Sequence, residues 1–294
     1  MPFRIGLTIQ GLGELTPSTL IKLGNVIALE HIEFDVSVFT DLEDVKQVIK
    51  AKQTAIHAPY SPDYKYDLSF PSEDADQLVT AILKAKADLN IIGVVVHSPK
   101  ETNDLFYERV SQLPFPLLEN IPNQSWDTFM AFRDKVRENS TKNFGYCFDI
   151  PHSFITNGDA FLDVPPEVMT SLKRKSGYIH ISGGKRHHDQ HFPLVTEGDI
   201  PFHEIKSFLK DIQFSGTVTM ELVPRSLEDV SKMLKSYSIM LNVAGKRFQS
   251  LVARLKAKIV MYRMSKYKDQ INSELKGLKT HFDDYIESQR TEEF

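Results

Sequence analysis

The chain has 294 residues, 41% of them hydrophobic, a formal net charge of −4 and one cysteine, which is enough apolar material for a substantial core. No run of about 18 apolar residues is present to span a bilayer, and the opening MPFRIGLTIQG lacks the basic and apolar segments of a secretion signal. A membrane partner is therefore not expected, Cys147 excludes an internal disulfide, and the expected compartment is the cytoplasm.

Apolar strand patterns alternate with amphipathic helical ones in a steady rhythm. Phe3 to Ile9 reads as a strand and Pro17 to Ala28 as a helix capped by Thr16. A second strand is predicted over His31 to Phe39 and a helix near Leu42 to Lys50. Thr54 to His57 follows as a third strand, with a long amphipathic helix from about Ser72 to Leu89. Ile91 to His97, IIGVVVH, is apolar up to its last residue, the pattern of a strand buried on both faces. Strands over Phe115 to Glu119, Asn143 to Asp149, Gly177 to Ile181 and Thr217 to Leu222 complete the set, with helices near Phe202 to Lys210 and Ser226 to Leu241.

Strands that are mostly followed by helices predict a parallel sheet with right-handed crossovers, closed as a (β/α)8 TIM barrel over residues 1–244. From Gly245 onward the pattern changes. Phe248, Val252, Leu255, Ile259 and Tyr262 recur every three or four residues, and Ile271, Leu275, Leu278, Phe282 and Tyr285 repeat that register. This predicts a C-terminal helical extension over 245–294, a long helix or a helical hairpin, with a seam that suits the barrel or a second copy of the chain. Its 11 Lys and Arg against 7 Asp and Glu make the extension basic and the preceding body acidic, at −8. Those basic residues could meet a phosphate backbone, an anionic surface or the acidic body itself.

In a barrel of this kind the functional residues lie at the C-terminal ends of the strands. Those ends supply His57, His97, Glu119, Asp149 with His152 close behind, His180, then Asp189 and His191 in the following loop, and Glu221. A lone histidine after a strand is more often a hydrogen-bonded core residue. Nine such residues converging on one mouth are different, because burying so many carboxylates and imidazoles without cations is costly. Imidazole and carboxylate are ligands for zinc, manganese or iron, and nine exceed what one ion takes, so two or three ions sharing a carboxylate are expected. Such clusters suit hydrolysis of a phosphodiester.

The segments that carry these residues are HAPY at His57, VVHSP at His97, LLENIP at Glu119, FDIPHSF at Asp149 and His152, HIS at His180, DQH with the following TEGDI at Asp189, and MELVP at Glu221. Together they resemble the endonuclease IV family, within the wider xylose-isomerase-like barrels, over roughly residues 50 to 225. The resemblance implies a DNA-repair enzyme that cuts DNA at abasic sites with three zinc ions, manganese or iron being alternatives. It implies one metal on His57, His97 and Glu119, a second on Glu119, Asp149, His180 and Glu221, and a third on His152, Asp189 and His191. Glu119 is then the bridge, and Glu119 and Glu221 are the carboxylates closest to the chemistry. Tyr60 matches an aromatic position used at the abasic site, or simply packs its loop. The chain departs from the family in its ISGGKRHH segment after His180 and in its first strand, mainly in elements that grip DNA.

Two other readings are carried forward. In one the barrel is a sugar isomerase or epimerase of the same superfamily, with one divalent ion and carboxylates that move a proton. Its members resemble this chain at Glu119, Asp149, His152 and Glu221 but commonly carry an arginine where this chain has Asp189 and His191. In the other the barrel is a scaffold whose basic tail binds nucleic acid or a partner.

Overall fold

Eight strands with inward side chains two residues apart close into a barrel whose upper interior is polar. The computed structural model describes residues 3–273 apart from 11–15, 26, 60–65, 100–101, 141–142, 187, 196–197, 223, 225 and 270. The elements are β1 (Arg4–Ile9), α1 (Pro17–Gly24), β2 (His31–Phe34), α2 (Leu42–Val48), β3 (Gln53–His57), α3 (Glu73–Ala85), β4 (Ile91–His97), α4 (Asp104–Gln112), β5 (Pro116–Glu119) and α5 (Trp126–Asn139). They continue with β6 (Gly145–Asp149), α6 (Ile150–Asn157), α7 (Pro166–Leu172), β7 (Tyr178–Ile181), β8 (Gly183–Lys185), β9 (His188–Phe192), α8 (Phe202–Asp211), β10 (Thr217–Met220), α9 (Leu227–Val243) and α10 (Arg247–Ser265). The barrel runs β1-β10-β7-β6-β5-β4-β3-β2 and closes, every pairing being parallel. The expected (β/α)8 TIM barrel is what the chain forms.

Alternation along the strands sorts the residues. Outward-facing Ile56, Val94, Val96, Leu118, Phe148 and Ile179 join the large core beneath the helices. Inward-facing Ala55, Val95, Leu117, Cys147 and Tyr178 form a smaller apolar cluster inside the barrel. The next inward position on each of these strands, two residues on, is His57, His97, Glu119, Asp149 and His180. An apolar floor therefore carries a layer of potential ligands.

Three local readings change. The second strand stops at Phe34, because Asp35 caps a 3-10 helix over Val36–Thr40. The stretch after β7 is not a loop: β8 and β9 pair as an antiparallel hairpin. Gly183 permits it, since a Cβ there would stand 2.9 Å from Pro193 O. The third change concerns the extension. α10 packs on the barrel through Ser250, Ala253, Val260 and Met264, all buried, while Phe248, Leu255, Ile259 and Tyr262 of the expected seam are turned outward. Small residues win the inner face because α9 lies close beneath them, with Ser250 Oγ donating to Ser238 O at 2.7 Å. Lys246 Nζ bonds Phe3 O at 2.7 Å and pairs with Glu30, so part of the basic tail does meet the acidic body. The second apolar register, beyond Ile271, lies outside the described residues, as does Tyr60.

Candidate metal centre

Each potential ligand is held in place by a local reason. Asp149 ends β6 and caps α6: its Oδ1 accepts from His152 N at 2.6 Å, which commits one oxygen to the helix and leaves Oδ2 for the mouth. Pro151 in the first turn fixes the entry into α6, so His152 projects back over the strand end. Asn120 ties the ends of β5 and β6 together, donating from Nδ2 to Asp149 O at 2.8 Å and accepting from Asp149 N at 2.9 Å. On β9, Asp189 and His191 are two apart and share a face. His191 sits at φ 46°, a left-handed conformation uncommon for a residue with a Cβ.

The nine residues fall into three groupings, which two further sets overlap, Glu33 with His57 and His180, and Glu119 with Cys147 and His180. In the first, Glu119 Oε2 lies 2.6 Å from His97 Nε2 and 3.5 Å from His57 Nε2, and the two histidine nitrogens are 3.2 Å apart. The second gathers around His180 Nδ1, with Glu119 Oε1 at 2.6 Å, Glu221 Oε2 at 3.2 Å and Asp149 Oδ2 at 3.8 Å. In the third, Asp189 reaches His152 Nε2 through Oδ2 at 3.2 Å and His191 Nε2 through Oδ1 at 3.0 Å. Within each grouping one ligand atom per residue lies within 4.8 Å of all the others. Glu119 is the residue common to two of these three, with one oxygen facing each. Glu221 lies between the second and third, 3.8 Å from His191 Nδ1.

Burial opposes every charge here, and the outcome depends on partners. His57 is raised to about 9, because Glu221, Glu33 and Glu119 outweigh its burial. His191 is likewise raised to about 9 by Asp189 and Glu221. Glu221 is held at about 2 against its burial by His191 and His57. At Asp149 burial prevails and lifts the carboxyl to about 7; at His97 burial prevails and lowers the imidazole.

Proteins satisfy such a concentration of charge either with protons on the histidines or with cations. Two observations favour cations. Buried Glu119 Oε2, Asp149 Oδ2 and Glu221 Oε2 accept no aligned hydrogen bond, although imidazole nitrogens surround them. Three of the five histidines also turn one ring nitrogen to a grouping and bind the other away from it. His152 Nδ1 meets Asn120 O at 2.8 Å, His57 Nδ1 meets Glu33 Oε1 at 3.1 Å and His180 Nε2 meets Glu33 Oε2 at 2.9 Å. That is how ligating histidines are held. All nine residues singled out from sequence converge on the mouth. Glu33 was missed, although it was legible by alternation: HIEF puts Ile32 and Phe34 in the outer core and His31 and Glu33 inside.

Residues 27–237 match the family described as the xylose isomerase-like TIM barrel. The chain belongs to this family. No curated protein matches it. Solved structures of xylose isomerase-like shape include 3-keto-D-glucoside 4-epimerase from E. coli, with 16% identity, 82% of this chain and 99% of that chain covered, and a TM-score of 0.56. Endonuclease IV from Thermus thermophilus shares 15% identity over 81% of this chain and 99% of that chain, with a TM-score of 0.53. An AP endonuclease of family 2 from Brucella melitensis shares 16% over 77% and 95%, with a TM-score of 0.51. These likenesses support the fold, and the enzymes concerned are of more than one reaction class.

Proposed function

We propose that this barrel is a metal-dependent phosphodiesterase of the endonuclease IV type, acting on DNA at abasic sites. The observation that carries the reading is the third grouping. His152, Asp189 and His191 form a complete histidine and carboxylate set beside a pair of groupings that share Glu119. One ion needs only one of these sets; three sets joined by Glu119 and flanked by Glu221 suit a phosphoryl group gripped from several sides. The ligand atoms are nitrogen and oxygen, which fits zinc, with manganese or iron as alternatives. Divalent ions held there would supply Lewis acidity and activate water. The chain's own part is to fix positions: Glu119 holds two groupings at a set separation, and Glu221 spans the second and third.

The basic end of α10 supports a nucleic-acid substrate. Val260 and Met264 line an apolar cavity of about 120 Å³ together with Ile9, Gln10, Leu222 and Pro224, which follow or end the strands at the mouth. α10 therefore climbs toward the rim, with exposed Arg263 in its last turn and exposed Lys266 and Lys268 just beyond it. A second reading is favoured by a different observation. The grouping of Glu119, Asp149, His180 and Glu221 is by itself a complete site for one ion, which is what a sugar isomerase or epimerase would use, with carboxylates moving the proton.

Glu119→Gln tests the first, and wild-type activity on the two kinds of substrate separates them. The substitution keeps the shape but removes the charge that two cations share, so abasic-site cleavage should fall by roughly three orders of magnitude or more, about 4 kcal/mol of barrier, with circular dichroism unchanged. Cleavage at the wild-type rate would end the phosphodiesterase proposal. If wild type cuts no abasic duplex but interconverts ketoses, the isomerase reading replaces it.

A further inference from the structure

Glu33 lies at the end of β2, fully buried, and neither the family resemblance nor the nine strand-end residues include it. Both of its oxygens are engaged by histidines that belong to different groupings. Oε1 faces His57 Nδ1 at 3.1 Å, and Oε2 faces His180 Nε2 at 2.9 Å. The opposite nitrogens of the same rings point at Glu119, from His57 Nε2 at 3.5 Å and from His180 Nδ1 at 2.6 Å. The two rings lie side by side, centroids 5.4 Å apart and 29° from parallel. Glu33 is itself held from below: Tyr178 Oη donates to Oε2 at 2.7 Å, while Thr219 Oγ1 donates to Tyr178 Oη at 2.8 Å and His31 Nε2 approaches that hydroxyl at 2.6 Å.

We infer that Glu33 is a positioning residue that sets the tautomer and ring orientation of His57 and His180 together, and so tunes the first two metal sites as a pair. A carboxylate only accepts hydrogen bonds, so each ring must turn an N–H toward it. That leaves the lone pair of the other nitrogen facing the cluster, the condition for binding a metal. A metal placed between Glu33 and the two rings would demand that both imidazoles lose both protons while the outer sites are filled, which makes hydrogen bonding the consistent arrangement. The third grouping has no link to Glu33, its His152 being held by Asn120 O instead.

Glu33→Gln tests this. A glutamine offers one acceptor and one NH₂, so it satisfies only one ring as before and presses the other toward the tautomer that points N–H at the metal. Chelator competition on zinc-loaded protein should show affinity falling about 10- to 100-fold at one or both of the first two sites, with the third unchanged. Cobalt-substituted protein should lose the corresponding part of its visible absorption. A merely structural role would lower thermal stability and leave the affinities of folded protein alone. The inference rests on the metal reading of the site, and the two fail differently: wild-type protein that binds no divalent metal sinks that reading. Wild type that binds while Glu33→Gln binds as tightly, or weakens at all sites alike, overturns only the role of Glu33. A fourth metal present in wild type and absent from Glu33→Gln overturns it too. Should Glu33→Gln not fold, Glu33→Asp decides. It keeps the charge but is too short to reach both rings, so the same selective weakening is expected, and wild-type affinity at the first two sites overturns the inference.

Discussion

Asp189 is the residue on which the choice between one ion and several turns. Each of its oxygens is spoken for by a different histidine, His152 on one side and His191 on the other, and its carboxyl is held well below the usual range by those two imidazoles despite burial. His191 reaches it only by adopting the left-handed backbone at φ 46°, a conformation that costs on the order of 1 kcal/mol or more and persists where the surroundings enforce it. We expect the double substitution Asp189→Ala with His191→Ala to remove one metal of three, leaving the other two in place. Elemental analysis of folded protein checks this, and full wild-type metal content would contradict the assignment of the third grouping. Asp149 shows the opposite economy, one oxygen serving the helix and one the site.

Among the elements, α10 is the one whose role changed most once its inner face was known. Its apolar seam is amphipathic in sequence, yet the side chains that touch the barrel are the small Ser250 and Ala253 with Val260 and Met264, set against α9. Removing residues from Gly245 onward would uncover buried Tyr237 and Leu241 as well as delete charge, so such a truncation confounds stability with binding. Charge reversal at the exposed rim is cleaner. Lys266→Glu combined with Lys268→Glu should weaken binding to an abasic duplex and flatten its salt dependence by about one per lysine, with thermal stability unchanged. An unaltered slope, measured by fluorescence anisotropy across salt, would assign these lysines to solvent.

For the whole molecule, the mouth is a place where folding and metal binding share free energy. Four carboxylates of the nine residues and Glu33 bring negative charge into the mouth, and Glu33, Glu119, Asp149 and His180 are entirely buried. Cations that bind only the folded state stabilise it by about 2.7 kcal/mol when free metal stands at 100 times Kd. A chelated sample should therefore unfold at least about 5 °C below the zinc-loaded one, with the difference restored by adding metal. Scanning calorimetry of both forms checks it; equal melting temperatures would mean that protons on the histidines already balance the charge.

The sequence by itself determined the barrel and the composition of its mouth. Both follow from short-range rules: strand alternation decides which side chain faces inward, and the parallel β/α rhythm puts every strand end on the same side, so His57, His97, Glu119, Asp149 and His180 fall together from spacing alone. Glu33 was open to the same rule, but in HIEFDVSVF the polar positions alternate over the whole predicted strand and read as an ordinary solvent-facing side. Tertiary structure alone decided the rest. That Glu33 joins His57 to His180 and that β8 and β9 form a hairpin were new with the structure; the first, like the shared position of Glu119 and the meeting of Asp189 with His152 that the family resemblance implied, depends on contacts between residues 24 to 147 positions apart. Such contacts are set by barrel closure and register, which no local pattern of residues encodes. The inner face of α10 was decided in the same way, by the closeness of α9 rather than by the hydrophobicity of the helix itself.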